Sequence, residues 1–268
     1  MKKLLVLAFV FFFWACGSVP ITGRKQLNLM DGQQLQAMSL TQYQKALQQS
    51  KVITGTAESQ RVKKVGQRLA LAAEEYLRSK NQADLVKDFN WEFNLLQDDA
   101  VNAWCMPGGK VAFYTGIMPI CETEVGVAVV MGHEIAHAIA RHGNERMSQA
   151  MVQQAGGVML AVALRDKPAE TQALFNTAYG IGSSLAATLP FSRLHEREAD
   201  ELGLIFMAQA GYDPKEAPRF WERMKARSGG QQPPEFLSTH PSHENRVEHL
   251  NKKMGKAYTI YLKQKDKM

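Results

Sequence analysis

The sequence predicts a mainly α-helical domain with one small β-sheet, an α+β fold, and three observations carry that prediction. Apolar residues recur three and four apart through "QQLQAMSLTQYQKALQQ" and "ESQRVKKVGQRLALAAEEYLRS", the spacing of helices with one buried face, so about 33 to 80 reads as helical. "FNWEFNLLQ" alternates instead and puts Trp91, Phe93 and Leu95 on one side, as in a half-buried strand. "EVGVAVVMGHEIAHAIARHG" is apolar nearly all round, which describes a helix enclosed by the core. With 268 residues, 45% of them apolar, the chain has material for that core.

Residues 1–16 stand apart from the fold. "MKKLLVLAFVFFFWACGS" has two lysines, a short apolar run and then Ala15-Cys16, the order of an export signal whose apolar run is short for a bilayer span. The small residues around Cys16 resemble a bacterial lipoprotein cleavage site, at which Cys16 becomes the lipidated first residue of the mature chain. The absence of Asp after Cys16 resembles outer-membrane sorting. Residues 17–32 carry Pro and Gly without periodicity and read as a tether, leaving 33–268 as the domain.

The later elements follow in order. "NAWCMPGGKVAFYTG" breaks at Pro-Gly-Gly before a β-rich run, Val111 to Thr115. The apolar helix should cover about 122 to 142, with Arg141, His142 and Gly143 as stop signals; His142 then reads as a helix-end residue and not as a ligand. The Gly-, Ala- and Met-rich stretch 150–190 fits two short helices over the core. Further helices are expected over about 192–210, over Pro218 to Arg227 and from near Ser242 onward. Cys105 and Cys121 remain as an even pair, readable as a disulfide or as two buried thiols.

Charge bounds the partners. Lys and Arg exceed Asp and Glu by 32 to 26, but the cations are scattered, with a mild concentration at the C-terminal end. That pattern suits a solvated surface near anionic lipid; no basic stripe interleaved with aromatics points to nucleic acid.

The chemistry sits in "HEIAH". On a helix His133 and His137 share a face and can present two imidazoles to one ion, with Glu134 beside them. Catalytic zinc takes three protein ligands and leaves one position for water, and Glu134 would serve as the base for that water. Ala140 and Gly143 stand where a metzincin has Gly and His, so the third ligand comes from elsewhere. "LHEREADELGLIFMAQAG" is the apparent source. Helical phase turns Ala199, Leu202, Gly203 and Phe206 inward and Arg197, Glu198 and Glu201 away. His195 and Glu196 flank the inward face on opposite sides, and phase alone does not choose between them.

Together "NAWCMPGG", "YTGIM", "MGHEIAHAIARH", "FSRLHEREADELG" and "HPSHENR" resemble the zinc metallopeptidase family of HtpX-type, CAAX prenyl, Oma-type and BepA proteases over about residues 60 to 250. The resemblance implies a zincin fold of gluzincin type, one zinc ion per subunit, and Glu196 as the third ligand beside His133 and His137. It gives Asp200 a catalytic acid role or, one turn from Glu196, the orienting of that ligand. It makes His240 a fourth ligand or an oxyanion stabiliser. The Pro-Gly-Gly strand, including Asn102, Ala103, Gly108 and Gly109, becomes the edge along which an extended substrate adds. Arg193 is given a supporting part, and His243 and His249 are expected to face solvent. The function implied is a zinc endopeptidase of the cell envelope, on an outer-membrane lipid anchor facing the periplasm, that cuts misfolded or misassembled proteins. The competing class is a zinc-holding chaperone or assembly factor whose cleavage is latent under His240 or the 150–190 segment.

Overall fold

The computed structural model describes residues 16–165, 167, 192–227, 235–240 and 245–267. An N-terminal ribbon pairs β1 (Cys16–Ser18) with β2 (Lys25–Leu27). Helix α1 (Gly32–Gln49) follows, its first turn capped by the Asp31 carboxylate, and α2 (Ala57–Ser79) starts on the side chain of Thr56. A short strand, β3 (Lys51–Ile53), separates them and interrupts the stretch expected to be helical throughout.

β4 (Glu92–Gln97), β5 (Ala103–Met106) and β6 (Lys110–Tyr114) complete a four-stranded sheet in the order β3-β4-β6-β5. β4 and β6 run parallel, whereas β5 folds back antiparallel on β6 and forms one edge. The hairpin between β5 and β6 turns on Gly108 and Gly109, at φ 89° and 82°, a region L-residues with a Cβ avoid. Phe93 and Leu95 are buried as alternation predicts; Trp91 lies just before the strand.

A short helix, α3 (Met118–Cys121), leads to α4 (Glu124–Ile139), which is buried from Gly126 onward. α4 ends earlier than its stop signals imply. Arg141, not Gly143, takes the left-handed conformation at φ 57°, and α5 (His142–Leu164) begins at once with Gly143 inside its first turn. His142 is therefore the buried start of a helix, not the exposed end of one. α5 is continuous to Leu164 instead of two short helices over the core. Its buried residues, Leu164 apart, lie in its first two turns, and Val158, Met159 and Val162 are exposed. Apart from Arg165 and Lys167, the rest of the 150–190 stretch falls outside the described residues, as do positions 1–15 of the expected export signal, the 228–234 loop and His243.

α6 (Arg193–Gln209) packs along α4, and α7 (Glu216–Arg227), the short α8 (Glu235–Thr239) and α9 (Arg246–Lys265) close around that pair. The α4–α6 crossing is close because glycines meet there. A Cβ on Gly132 would lie 3.1 Å from the Gly203 carbonyl oxygen, and one on Gly203 would lie 3.1 Å from the His133 nitrogen. Ala199, Leu202, Gly203 and Phe206 face inward as helical phase requires. Among the described residues no single helix is long and apolar enough to cross a membrane. Cys105 and Cys121 are free thiols.

Candidate active site

The close crossing of α4 and α6 brings four donor groups together. His133 and His137, one turn apart on α4, turn their Nε2 atoms to within 3.1 Å of each other. Glu196 on α6 places Oε2 3.3 Å from His133 Nε2 and Oε1 3.3 Å from His137 Nε2. His240, just after α8, brings Nδ1 to 3.0 Å from Glu196 Oε1 and 3.3 Å from His133 Nε2. All four residues are buried and could hold one metal ion. Ligands at about 2.0–2.1 Å from a tetrahedral zinc lie about 3.3 Å from one another, close to the 3.1 and 3.3 Å spacings here. Imidazole nitrogens with one carboxylate are a donor set that suits zinc.

The electrostatics favour a cation. Burial pushes His137 well below the usual imidazole range, leaving a neutral ring with a lone pair to give. Burial works the same way on His133, but Glu196 and Asp200 outweigh it and hold the ring above its ordinary value. Glu196 is held well below the usual carboxylate range: burial opposes, and the surrounding histidines prevail. Glu196 thus stays ionised beside a neutral His137, an anion and a lone pair that a metal cation can use.

Behind the donors stand residues that fix them. Asp200 Oδ1 lies 3.0 Å from His133 Nδ1, so it braces that histidine rather than Glu196. Arg246, which opens α9, donates from Nη1 to Glu196 Oε2 at 3.0 Å and from Nη2 to Asp200 Oδ1 at 2.7 Å. Its guanidinium lies over the Trp221 ring, 3.2 Å from the centroid. Nη2 is also 3.2 and 3.3 Å from the two ring nitrogens of His133; near-equal distances describe a contact against the ring, and the carboxylate bonds are the directional ones. Sequence reasoning missed Arg246 and Trp221, which no local spacing connects to the site.

Glu134 is buried next to the donors. Burial pushes its carboxyl up to about 7, opposed by His240 and, more weakly, by the nearby backbone N–H of Cys105. That N–H belongs to β5, so the edge strand and Glu134 are neighbours. Asn102 and Ala103, expected in the substrate groove, are buried at the start of this strand; Asn102 Nδ2 donates to Glu235 Oε1 at 3.1 Å. Gly108 and Gly109 sit at the far turn, where Gly109 approaches Trp91 too closely for a side chain.

One open choice on α6 is narrowed and one expectation corrected. His195, the rival to Glu196, takes no part in the four-donor set: its Nε2 lies 3.0 Å from Glu145 Oε2, and its ring stacks on His142. Glu198, expected to point away from the core, is buried because the N-terminal segment covers that face. Thr22 and Arg24 donate to its two oxygens at 2.8 Å each. His142 joins this second cluster, with Nε2 3.3 Å from Glu198 Oε2 and Nδ1 2.9 Å from His137 Nδ1. Arg193 is exposed at the start of α6, and His249 is half-buried rather than facing solvent.

Comparison with known proteins agrees with this geometry. The model of peptidase family M48 matches residues 56–254. The mitochondrial metalloendopeptidase OMA1 of Saccharomyces cerevisiae is 35% identical over 66% of this chain and 51% of its own length. The metalloendopeptidase OMA1 of Homo sapiens is 29% identical over 94% of this chain and 48% of its own length. The beta-barrel assembly-enhancing protease of Escherichia coli is 31% identical over 59% of this chain and 33% of its own length. The chain thus spans about half the length of these OMA1 relatives, and a third of the last protein. With its zinc-compatible donors on HExxH and ExEAD helices, the chain belongs to peptidase family M48.

Proposed function

We propose that the chain is a zinc-dependent endopeptidase of the cell envelope that hydrolyses peptide bonds in misfolded or misassembled proteins. The observation that carries this reading is the position of Glu134, between the His133, His137 and Glu196 donors and the β5 edge. In this reading His133, His137 and Glu196 hold the zinc ion. When bound, zinc supplies the Lewis acidity that activates a water and polarises a peptide carbonyl. Glu134 takes the water's proton and returns it to the leaving amine, a part its buried place beside the donors allows. A substrate strand added along β5 would pass near the same carboxylate, since Cys105 of that strand neighbours Glu134. Asp200 keeps the His133 hydrogen on Nδ1 and so frees Nε2 for the ion, a positioning part in place of a proton donor's.

His240 favours a second element of the reading, that cleavage is latent at rest. With its Nδ1 3.0 Å from Glu196 Oε1 and its Nε2 3.6 Å from Glu134 Oε1, it stands as a fourth donor beside the base and would compete with substrate there. Four protein donors make a closed, structural type of site, and withdrawal of His240 makes a catalytic one. A chaperone or assembly factor that degrades only on demand would have this form.

The address is argued from the leader and the relatives' names. The lysines, apolar run and Cys16 support export and a lipid anchor at the outer membrane. The Escherichia coli relative is named for β-barrel assembly, which fits an envelope role for this chain, whereas the OMA1 relatives are named mitochondrial. Mass spectrometry of the mature N-terminus decides the anchor: a diacylated Cys16 supports it, and an unmodified N-terminus at another residue removes it.

The enzyme reading is tested on purified wild type and Glu134→Gln with casein as unfolded substrate. Both should hold zinc, and the variant should lose at least about a hundredfold in cleavage rate. A Glu134→Gln protein that keeps its zinc and still degrades casein would end the reading. His240→Ala should raise the wild-type rate if the site is closed at rest; an unchanged rate removes the latency.

A further inference from the structure

We propose that His142, Glu198 and Arg24 form a bracing chain behind His137, which makes the N-terminal segment a working part of the metal centre. This rests on reading His137 as a zinc ligand. Arg24 and Thr22 lie outside residues 56–254, so the family match does not supply them.

Hydrogen placement sets the direction of this chain. His137 turns Nε2 toward the other donors, and its Nδ1 lies 2.9 Å from His142 Nδ1. Two ring nitrogens at that distance share one hydrogen. If Nε2 of His137 gives its lone pair to an ion, the ring's hydrogen is on Nδ1, and His142 Nδ1 must accept it. The hydrogen of His142 then sits on Nε2 and points to Glu198 Oε2 at 3.3 Å. Glu198 can accept it as a carboxylate because Arg24 Nε and the Thr22 hydroxyl hold its oxygens at 2.8 Å each. Arg24 is held in turn, its two Nη atoms donating to Glu145 at 2.8 and 2.7 Å. Along these contacts the hydrogens run away from His137 toward Glu198.

The two α4 histidines are braced by different means. His133 has a carboxylate directly behind it, Asp200, the usual arrangement for a zinc-binding imidazole. His137 reaches its carboxylate through an inserted imidazole, and that carboxylate is set by a guanidinium from the start of the chain. Losing Arg24 leaves Glu198 buried with fewer donors. Losing the acceptor on His142 removes the contact at 2.9 Å that places the His137 hydrogen on Nδ1.

Zinc affinity of the full chain, measured by competition with a chromophoric chelator, tests this, with the visible spectrum of the cobalt-loaded protein as a second readout. His142→Phe keeps an aromatic ring against His195 but removes the acceptor; affinity should fall about 10- to 100-fold, with a shifted cobalt spectrum. His142→Asn restores an acceptor oxygen and should recover most of the loss. Arg24→Ala should weaken zinc about tenfold, and Arg24→Lys less. Asn144→Ala removes a different tie to the N-terminal segment, the 2.9 Å bond from Asn144 Nδ2 to the Met30 carbonyl, and should leave affinity and spectrum as in wild type.

A folded His142→Phe with wild-type affinity and spectrum would overturn the proposal. So would an Asn144→Ala that weakens zinc as much as Arg24→Ala, since the segment's role would then be packing alone. If His142→Phe does not fold, Arg24→Ala against Arg24→Lys reads the chain from its other end, and equal affinities there overturn it. Wild type that binds no zinc would overturn this proposal together with the ligand assignment, whereas the outcomes above leave that assignment standing.

Discussion

Two buried polar clusters meet at the His137–His142 contact and are built from the same residue types, yet they differ in what their lone pairs face. Around His142, His195, Glu145 and Glu198, each carboxylate oxygen has a donor or a ring nitrogen against it, from Arg24, Thr22 or a histidine. Around His133, His137, Glu196 and His240, four potential acceptors converge on one another at 3.0 to 3.3 Å. In the first arrangement every carboxylate oxygen is met. The second has more lone pairs than hydrogens to fill them, and a cation resolves it. Counting His and Glu does not distinguish a metal site from a structural network; balancing donors against acceptors does.

The comparison can be broken at its arginines. Arg246 is fully buried and serves two carboxylates, so Arg246→Ala should destabilise the metal-free protein by about 3–5 kcal/mol, read from urea unfolding in chelator. Arg24 also serves two carboxylates, but 21% of its side chain is exposed, and water can replace part of what is lost. Arg24→Ala should therefore cost less, about 1–3 kcal/mol. If the order is reversed, burial is not what separates the clusters.

The pH dependence sharpens the same contrast. Burial works to raise the Glu145 carboxyl, but the Arg24 fork and His195 overcome it and hold it at about 2, against an ordinary value of 4.5. A depressed carboxyl contributes stability that is fully present above 4.5 and is lost as pH falls toward 2. The advantage of wild type over Glu145→Gln in urea midpoint should thus shrink over that interval; an advantage constant down to pH 2 would show that Glu145 is not the ionised partner of Arg24. The smallest effect is expected at the exposed Lys64–Glu124 pair, 2.8 Å apart on the surface. Lys64→Ala should leave the urea midpoint unchanged within error.

Much of the fold was legible where a period of one element decides it. The HExxH phase on α4, the inward face of α6 at Ala199, Leu202, Gly203 and Phe206, and the alternation of β4 are local properties, and they appear as read. Helical phase left His195 and Glu196 undecided because both flank that face. What separates them is Glu145, an α5 residue waiting for His195 on one flank only. Glu198 was misplaced for a related reason: the face it occupies is covered by residues 19–27, and no periodicity within α6 carries that information. Arg246 lies far along the chain from Glu196, in a stretch whose helix-start pattern gives no hint of two buried carboxylates. The stop signal at Gly143 misled because Arg141 takes the left-handed turn that glycine usually supplies.

The central claim is that the converging cluster holds zinc and the closed cluster does not, and Glu196 and His195, neighbours on one helix, test it most directly. Elemental analysis of purified wild type, Glu196→Ala and His195→Ala should find about one zinc per chain in wild type and in His195→Ala, and close to none in Glu196→Ala. Retention of zinc by Glu196→Ala together with its loss from His195→Ala would contradict the account.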